Sequence, residues 1–312
     1  MKFGWISAIR DNLVEIGNER KRSRIMLAIG LSLLASLCYA CAGIFAQRGL
    51  HQLPTPWGAW ITLVVNSLFL WLLHLLVSPE APIFISANLI FVFIGFFVPG
   101  LTRVLNFRGI RTLGASVTST VINSTPMFAT ALAVIFLGER PGLVVLSGLG
   151  VIVGGLTAIS WGGGRGWWSQ LELFYPLLAA VFFAGKDVLA RWGMGITGQP
   201  ILAVAIASIT GTVEVYFLLS WIQGDRFRLP PPRIFFWFAI SGLFTGGSFV
   251  FQYLALFIEN VSIVSPIVNT YSVFVLVLAP LLARGIERVT LRKVIGAVGV
   301  VAGVALISIG RS

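Results

Sequence analysis

The chain has 312 residues, of which 57% are hydrophobic and 11% are charged. Soluble globular domains carry about 25% charged residues, so this composition excludes a water-soluble body of this size and indicates an integral membrane protein. The net charge of +11 would suggest nucleic acid as the partner of a soluble protein. In a membrane protein, attraction to anionic lipid headgroups is the simpler explanation, and we expect no nucleic-acid partner.

The N-terminal segment, residues 1–24, places Trp5, Ile9, Leu13 and Ile16 at helical spacing. This pattern predicts an amphipathic helix lying on the membrane surface. The apolar run that follows is long enough to span a bilayer, so we expect no cleaved signal peptide. Cys38 and Cys41 lie three residues apart in that run, where thiolate chemistry is disfavoured, and they are interpreted as helix-packing residues.

Ten apolar stretches follow, each near the roughly 20 residues that cross a bilayer. They lie at about 25–45, 57–77, 84–106, 114–137, 141–161, 172–191, 200–222, 233–256, 262–283 and 289–309. The predicted fold class is therefore an all-α integral membrane protein with ten transmembrane helices. Residues 162–171, GGGRGWWSQL, form the natural linker between a first half, 25–161, and a second half, 172–309.

The two halves are duplicates. A shift of 146 residues superimposes the polar fourth stretch on its copy, including Asn123 on Asn269, and a shift of 148 aligns Glu139-Arg140 with Glu287-Arg288. The first stretches match at a shift of 144. Because each half has five helices, an odd number, the second half must enter the membrane in the opposite orientation. Inverted repeats of this kind are typical of transporters that bind substrate near the midplane.

Few ionisable residues lie deep in the predicted spans, where they usually face the protein interior or water. Glu214 lies inside the seventh helix and is either a protonatable substrate or counter-ion site, or a protonated packing residue. Lys186 and Asp187 are adjacent in the sixth helix, so they point about 100° apart. We expect either that they find separate partners or that one of them lines a cavity. Asp187 is a candidate for the pathway, whereas Lys186 could simply reach the headgroups.

Uncharged polar residues are concentrated in the fourth helix of each half. Thr118, Ser119 and Asn123 make the first copy polar, and Asn269 and Tyr271 belong to the second. Asn66 is a further mid-helix amide, in the second helix. Single residues of this type commonly bond helices together, whereas the cluster as a whole favours the wall of a pathway. We include all six in the predicted substrate site.

Arg103 and Asn106 lie near the end of the third helix. Arg103 could bind a carboxylate or phosphate, or contact lipid at the interface, and Asn106 aligns with Gln252 in the second half. Pro99, Pro126 and Pro280 lie within spans, where we expect them to weaken local helix hydrogen bonds and to form either hinges or static kinks.

The fifth and tenth helices carry Gly150/Gly154 and Gly299/Gly303 at the spacing of close helix contacts. We expect these glycines to pack within one chain or in a homodimer, and not to bind substrate. The GER turn at Glu139-Arg140 is interpreted as architectural.

These features resemble the EamA family of the drug/metabolite transporter superfamily. The resemblance is carried by ASVTST…P…LGER before a glycine-rich helix, by its echo VSIVSP…GIER, and by the LLA-rich first helix of each half, and it covers about 25–309. It implies ten helices in the plasma or inner cell membrane with both termini cytoplasmic. It also implies transport of small metabolites, often outward, through a centre formed by the fourth helices with help from the first and third.

The leading hypothesis is a secondary transporter for a small organic metabolite such as an amino acid, working by alternating access. No GxxxxGK[ST] loop is present, and no nucleotide or other cofactor is expected. Coupling to protons through Glu214 or Asp187 is one mechanism. A carrier for a phosphorylated or lipid-linked substrate, using the arginines at 103–111, is the alternative. An enzyme is not expected, since the sequence has two histidines and no HExxH motif.

Overall fold

The computed structural model contains helices and no strand among the residues it describes, which are 4–52, 57–102, 105, 118, 121–160, 170–223, 230–282 and 291–310. In chain order the helices are α1 Gly4–Gln52, α2 Trp57–Val77, α3 Leu89–Gly95, α4 Thr125–Leu137, α5 Leu143–Ser160, α6 Gln170–Thr197, α7 Pro200–Gln223, α8 Pro232–Ile258, α9 Val261–Val268, α10 Tyr271–Leu282 and α11 Leu291–Ile309.

Six stretches in the described part of the chain are long and apolar enough to cross a membrane. They are Arg22–Gly49, Trp57–Val77, Glu172–Thr197, Pro200–Trp221, Pro232–Ile258 and Val261–Leu278. Four shorter apolar helical stretches occupy the other predicted spans, at Ser86–Pro99, Thr125–Leu137, Leu143–Ile159 and Val294–Ile309. The all-helical membrane fold is thereby confirmed, whereas a count of ten crossings stays a prediction.

The first span belongs to an unusually long helix. No boundary separates the predicted surface segment from the span, because α1 runs without interruption from Gly4 to Gln52. Its 49 residues would extend about 74 Å at 1.5 Å per residue, against a hydrocarbon thickness of about 30 Å. The amphipathic role of residues 1–24 stays a prediction.

The third span changes its helical geometry at a proline. After α3 the backbone continues as a π-helical segment, Phe96–Leu101, and Val98 within it has non-helical angles of φ −133° and ψ 114°. Pro99 has no amide hydrogen and its ring clashes with the preceding turn, which accounts for the irregularity. The expectation that Pro99 would disturb local helix hydrogen bonds is confirmed.

The fourth span of each half is interrupted at the same asparagine. Turns at Asn123-Ser124 and Asn269-Thr270 precede α4 and separate α9 from α10, and a shift of 146 residues superimposes them. In both turns a hydroxyl donates to the carbonyl three residues earlier, from Ser124 to Val121 at 2.6 Å and from Thr270 to Ile267 at 2.7 Å. Both interruptions lie inside the spans predicted at 114–137 and 262–283.

In the first half the interruption has a local cause. Pro126 cannot donate an amide hydrogen to the carbonyl of Ile122, four residues earlier. The hydroxyl of Thr125 donates to that carbonyl instead, at 2.6 Å. Irregular backbone at membrane depth is tolerated when side chains satisfy the freed groups in this way.

The fifth helices of the two halves, α5 and α11, pack against each other through glycines. A Cβ on Gly148 would lie 2.8 Å from the carbonyl oxygen of Gly303, and one on Gly155 would lie 2.6 Å from that of Gly296. The order of these contacts makes the two helices antiparallel, as inverted repeats require. Packing within one chain is thus confirmed, but its central contacts include Gly148 and Gly155 and not the predicted pair at 150 and 154, which face open space.

Glu139 of the GER turn caps a helix of the other half. Its Oε1 accepts the backbone N–H of Val261 at 2.8 Å, and its Oε2 accepts that of Ser262 at 3.0 Å. These are the first two residues of α9, so the carboxylate lies at the positive end of that helix dipole. Glu139 is buried and joins the end of α4 to the start of α9. Its predicted architectural role is confirmed.

Candidate functional site

Three buried polar side chains form a closed ring of contacts between α6 and α8. Lys186 Nζ lies 2.7 Å from Asp187 Oδ1, and the two side chains are 8% and 3% exposed. Gln252 Oε1 accepts a hydrogen bond from Lys186 Nζ at 3.2 Å, and Gln252 Nε2 donates one to Asp187 Oδ1 at 3.0 Å. The ring therefore holds one positive and one negative charge, with an amide bonded to both.

Lys186 and Asp187 pair with each other, so the expectation of separate partners is wrong, whereas the alternative that one of them lines a cavity holds for Lys186. Adjacent positions on a helix do point in different directions, but the four-carbon stem of lysine lets the ammonium group bend back to the neighbouring carboxylate. Gln252 then bonds to both from the opposite helix. Pairing is also favoured energetically, because an unpaired charge in so buried a position would cost several kcal/mol.

Two aromatic rings of α8 cover the ammonium group. The centroids of the Phe249 and Tyr253 rings lie 5.8 Å and 6.0 Å from Lys186 Nζ, at the outer limit of about 6 Å for cation–π attraction. Both positions lie within one helical turn of Gln252. One face of α8 thus supplies both the amide and the aromatic lining around Lys186.

A small cavity adjoins the ring. It has a volume of about 20 Å³, and its polar lining residues are Asn66, Lys186, Ser208 and Tyr253. The remaining lining is apolar and includes Val98 and Pro99 of the irregular third span. A cavity of this volume has room for about one water molecule. The space is therefore much smaller than a metabolite.

Asn66 is the polar residue that α2 contributes to the described cavity lining. Its side chain is completely buried, and neither its Oδ1 nor its Nδ2 has a hydrogen-bond partner in the described part of the chain. Leaving such a group unpaired costs about 1–3 kcal/mol, so native proteins seldom do so without a functional reason or a bound water. Asn66 therefore offers both a donor and an acceptor to whatever enters the cavity.

Hydroxyl groups fix α2 and α7 beside the cavity. Ser67 Oγ lies 2.8 Å from Thr212 Oγ1 and donates to Ser208 Oγ at 3.2 Å. Thr212 Oγ1 lies 3.2 Å from the carbonyl of Leu63 on α2. These bonds hold Ser208 on α7 and Asn66 on α2 in fixed positions, so the cavity wall is rigid on this side.

The residues predicted from the fourth spans lie elsewhere. Asn123 Nδ2 donates to the carbonyl of Leu156 on α5 at 3.0 Å, and Asn269 Nδ2 donates to Ser265 at 2.8 Å within its own span. Tyr271 contacts Tyr39 of α1, ring edge to face, at 4.9 Å between centroids. Thr118 is buried, and like the other three it is not part of the cavity lining that the structure describes. Their substrate role stays a prediction.

Glu214 is the remaining predicted site residue that the structure describes. Glu214 is half-buried on α7, and its Oε2 has no hydrogen-bond partner among the described residues. It is not part of the described cavity lining either. Arg103 and Ser119 lie outside the described residues. The alternative of a phosphorylated substrate, which depends on Arg103 and its neighbours, stays a prediction from sequence.

Asn66 and Asp187 are the predicted residues that the structure brings to this site. Sequence reasoning gave Lys186 a lesser role and noted Gln252 only as the repeat partner of Asn106. Ser208 and Tyr253 were not predicted. The sequence signal for Gln252 was its amide group, at a position that aligns with the amide of Asn106 in the first half. Ser208 and Tyr253 carry no such signal, because single hydroxyl groups are common in membrane helices.

Comparisons with known proteins agree with this fold. The model of the EamA-like transporter family matches twice, at residues 26–161 and 170–309. Comparison with curated proteins gives no match. Among solved structures 29 chains match, and one of them, titled "Crystal structure of protein", superimposes with a TM-score of 0.73 at 14% sequence identity. That alignment covers 91% of this chain and 95% of the other, and at this identity it shows a shared fold alone.

Proposed function

The chain belongs to the EamA-like transporter family of the drug/metabolite transporter superfamily, and we propose that it is a secondary transporter for a small organic metabolite such as an amino acid. It works by alternating access in the plasma or inner cell membrane, with both termini in the cytoplasm. Transport is outward. The direction, the membrane and the placement of the termini follow from the family resemblance and not from the geometry of the site.

The single observation that supports the substrate class best is the cavity between α2, α6, α7 and α8. It places an ion pair, an unpartnered amide and aromatic rings together near the middle of long apolar helices. Buried charged groups in membrane spans are costly and usually serve a function. A zwitterion of amino-acid size would find a cation at Lys186, hydrogen-bonding groups at Asn66 and an apolar lining for its side chain.

Transport requires the cavity to open. A space of about 20 Å³ holds a water molecule but no amino acid, so the site must widen before a solute of that size can bind. The interruptions at Asn123-Ser124 and Asn269-Thr270 lie in the middle of both fourth spans, where the backbone lacks a continuous helical ladder. These turns are suited to act as hinges, because bending there breaks few hydrogen bonds.

Asn66→Leu tests the site directly. The substitution keeps side-chain size and removes a polar group that has no partner, so a binding role predicts unchanged or higher thermal stability together with loss of ligand binding. Ligand binding is measured in detergent as thermal stabilisation by a panel of amino acids and related metabolites, since a ligand that binds the native state raises the melting temperature. Transport is measured as efflux from proteoliposomes.

Asn88→Leu is the matched control. Asn88 is buried outside the cavity lining and donates hydrogen bonds to the carbonyls of Pro82 and Ile83, so the same substitution there is expected to lower stability and to leave ligand affinity nearly unchanged. If Asn66→Leu instead lowers the melting temperature and retains both ligand stabilisation and efflux, Asn66 is a structural residue and the proposed site is wrong.

A further inference from the structure

The charge balance of the site allows an inference about which metabolites the transporter accepts. Lys186 and Asp187 neutralise each other, and Gln252 bonds to both without adding charge. The cavity lining in the described part of the chain contains no charged side chain besides Lys186. The centroids of the Phe249 and Tyr253 rings, which are uncharged, lie 5.8 Å and 6.0 Å from the ammonium group. The pocket is therefore electrically neutral before a solute enters.

We propose that this neutrality makes the transporter selective for solutes of zero net charge, and that Gln252 is the residue that sets this selectivity. The inference rests on the proposed function, since it concerns what the same cavity accepts. A solute with a single charge would leave that charge uncompensated in a water-poor environment, which is unfavourable. A zwitterion or neutral amide brings no net charge and avoids this cost.

The geometry leaves specific contacts open for such a solute. The ammonium group of Lys186 has three donors, of which Asp187 and Gln252 accept two. The third donor and the free Oδ1 and Nδ2 of Asn66 remain available at the cavity surface. A net-neutral solute that carries one acceptor and one donor can bond to these groups without separating the ion pair.

Gln252 sets the charge of the ring because glutamine and glutamate have nearly the same shape. Gln252→Glu would place two carboxylates against one ammonium group and give the site a net negative charge. It is expected to favour cations. Asp187→Asn removes the one carboxylate of the ring, leaves Lys186 uncompensated and is expected to favour anions. The two variants act in opposite directions, so misfolding, which abolishes all binding, cannot mimic both results.

The experiment uses three matched ligand pools and the detergent-solubilised full chain. One pool contains L-norvaline, L-leucine, L-methionine and L-phenylalanine. The second contains the amines that lack their carboxylate groups, and the third contains the carboxylic acids that lack their amino groups. Affinities follow from the ligand concentration that produces half of the maximal thermal stabilisation. Arg292→Gln, at an exposed position of α11, is the control for a change in overall charge far from the cavity.

The wild type and Arg292→Gln are expected to bind the amino-acid pool at least tenfold more tightly than either charged pool. Gln252→Glu is expected to shift the preference at least tenfold toward amines, and Asp187→Asn at least tenfold toward carboxylates. A wild type that binds a charged pool best, or variants that keep its preference, would overturn the inference while the proposed transport function stands. If none of the pools stabilises the wild type, the proposed amino-acid-like substrate is wrong and the inference fails with it.

Discussion

The two halves of the chain share their backbone architecture but differ in the chemistry of the central cavity. Both halves interrupt the fourth span at an equivalent asparagine, and each fifth helix packs on the other through equivalent glycines. The charged ring has no such counterpart, because Lys186 and Asp187 align with Ala42 and Gly43 at the shift of 144 residues. Duplication has therefore kept the features that shape the membrane fold.

This difference helps to distinguish polar groups that stabilise the fold from polar groups that bind substrate. Several polar groups that occur in both halves have a partner within the protein, as the hydroxyls of Ser124 and Thr270 do. The buried hydroxyls of Ser262 and Ser265, which align with Ser116 and Ser119, are exceptions among the described residues. Asn66, in contrast, aligns with no amide at any of these shifts and has no partner among the described residues. Asymmetry combined with an unsatisfied buried group is thus a better indication of a substrate contact than repetition is.

The largest effect is expected from breaking the asymmetric ion pair. Lys186→Met leaves Asp187 buried without its cation and should lower the free energy of unfolding by about 3–5 kcal/mol. The double variant Lys186→Met/Asp187→Asn removes both charges and should recover most of that loss while ligand stabilisation remains absent. Unfolding in detergent with increasing denaturant measures both. Equal stability of the single and double variants would show that the pair is not coupled.

Removal of the contact between halves at Glu139 is expected to have the next largest effect. Glu139→Ala leaves the N–H groups of Val261 and Ser262 without their charged acceptor, and we expect a loss of about 2–3 kcal/mol in unfolding free energy. Faster amide hydrogen exchange at the start of α9 should accompany it. Glu80→Ala, at an exposed position, is the control. A normal exchange rate at α9 in Glu139→Ala would contradict the capping role.

Much of the fold could be predicted from the sequence, because hydrophobic length and internal repetition are strong signals in membrane proteins. The sites of close packing could not, since glycine spacing alone does not show which face of α5 meets α11. The ring at Lys186 was missed for a similar reason. Whether a flexible lysine bonds to its neighbour or to a distant carboxylate depends on the helix opposite, and only the structure places Gln252 there.

The glycine contact allows a test within a single helix. Gly155→Ala places a Cβ 2.6 Å from the backbone oxygen of Gly296, and the helices must separate, at a cost of about 2 kcal/mol. Gly154→Ala introduces the same methyl group where nothing lies within 4 Å, and should be neutral or stabilise the helix slightly. Melting temperatures of the two variants give the comparison. Equal losses at both positions would instead favour a second packing surface, such as the predicted homodimer contact.

The smallest effects are expected at the interrupted fourth spans, where the halves are most alike. Ser124→Ala removes one bond, to Val121, and should cost about 0.6 kcal/mol, the average for side-chain hydrogen bonds measured in a membrane. Thr270→Val removes the equivalent bond to Ile267 and also a contact with Ser36 Oγ at 3.0 Å, so roughly twice that cost is expected. The ratio of the two losses in unfolding free energy, measured for both variants under the same conditions, tests this expectation. In the described part of the chain only the turn between α9 and α10 has this extra contact, which joins it to α1 of the first half. A ratio near one would therefore mean that Ser36 contributes nothing and that the two turns are energetically as well as geometrically equivalent.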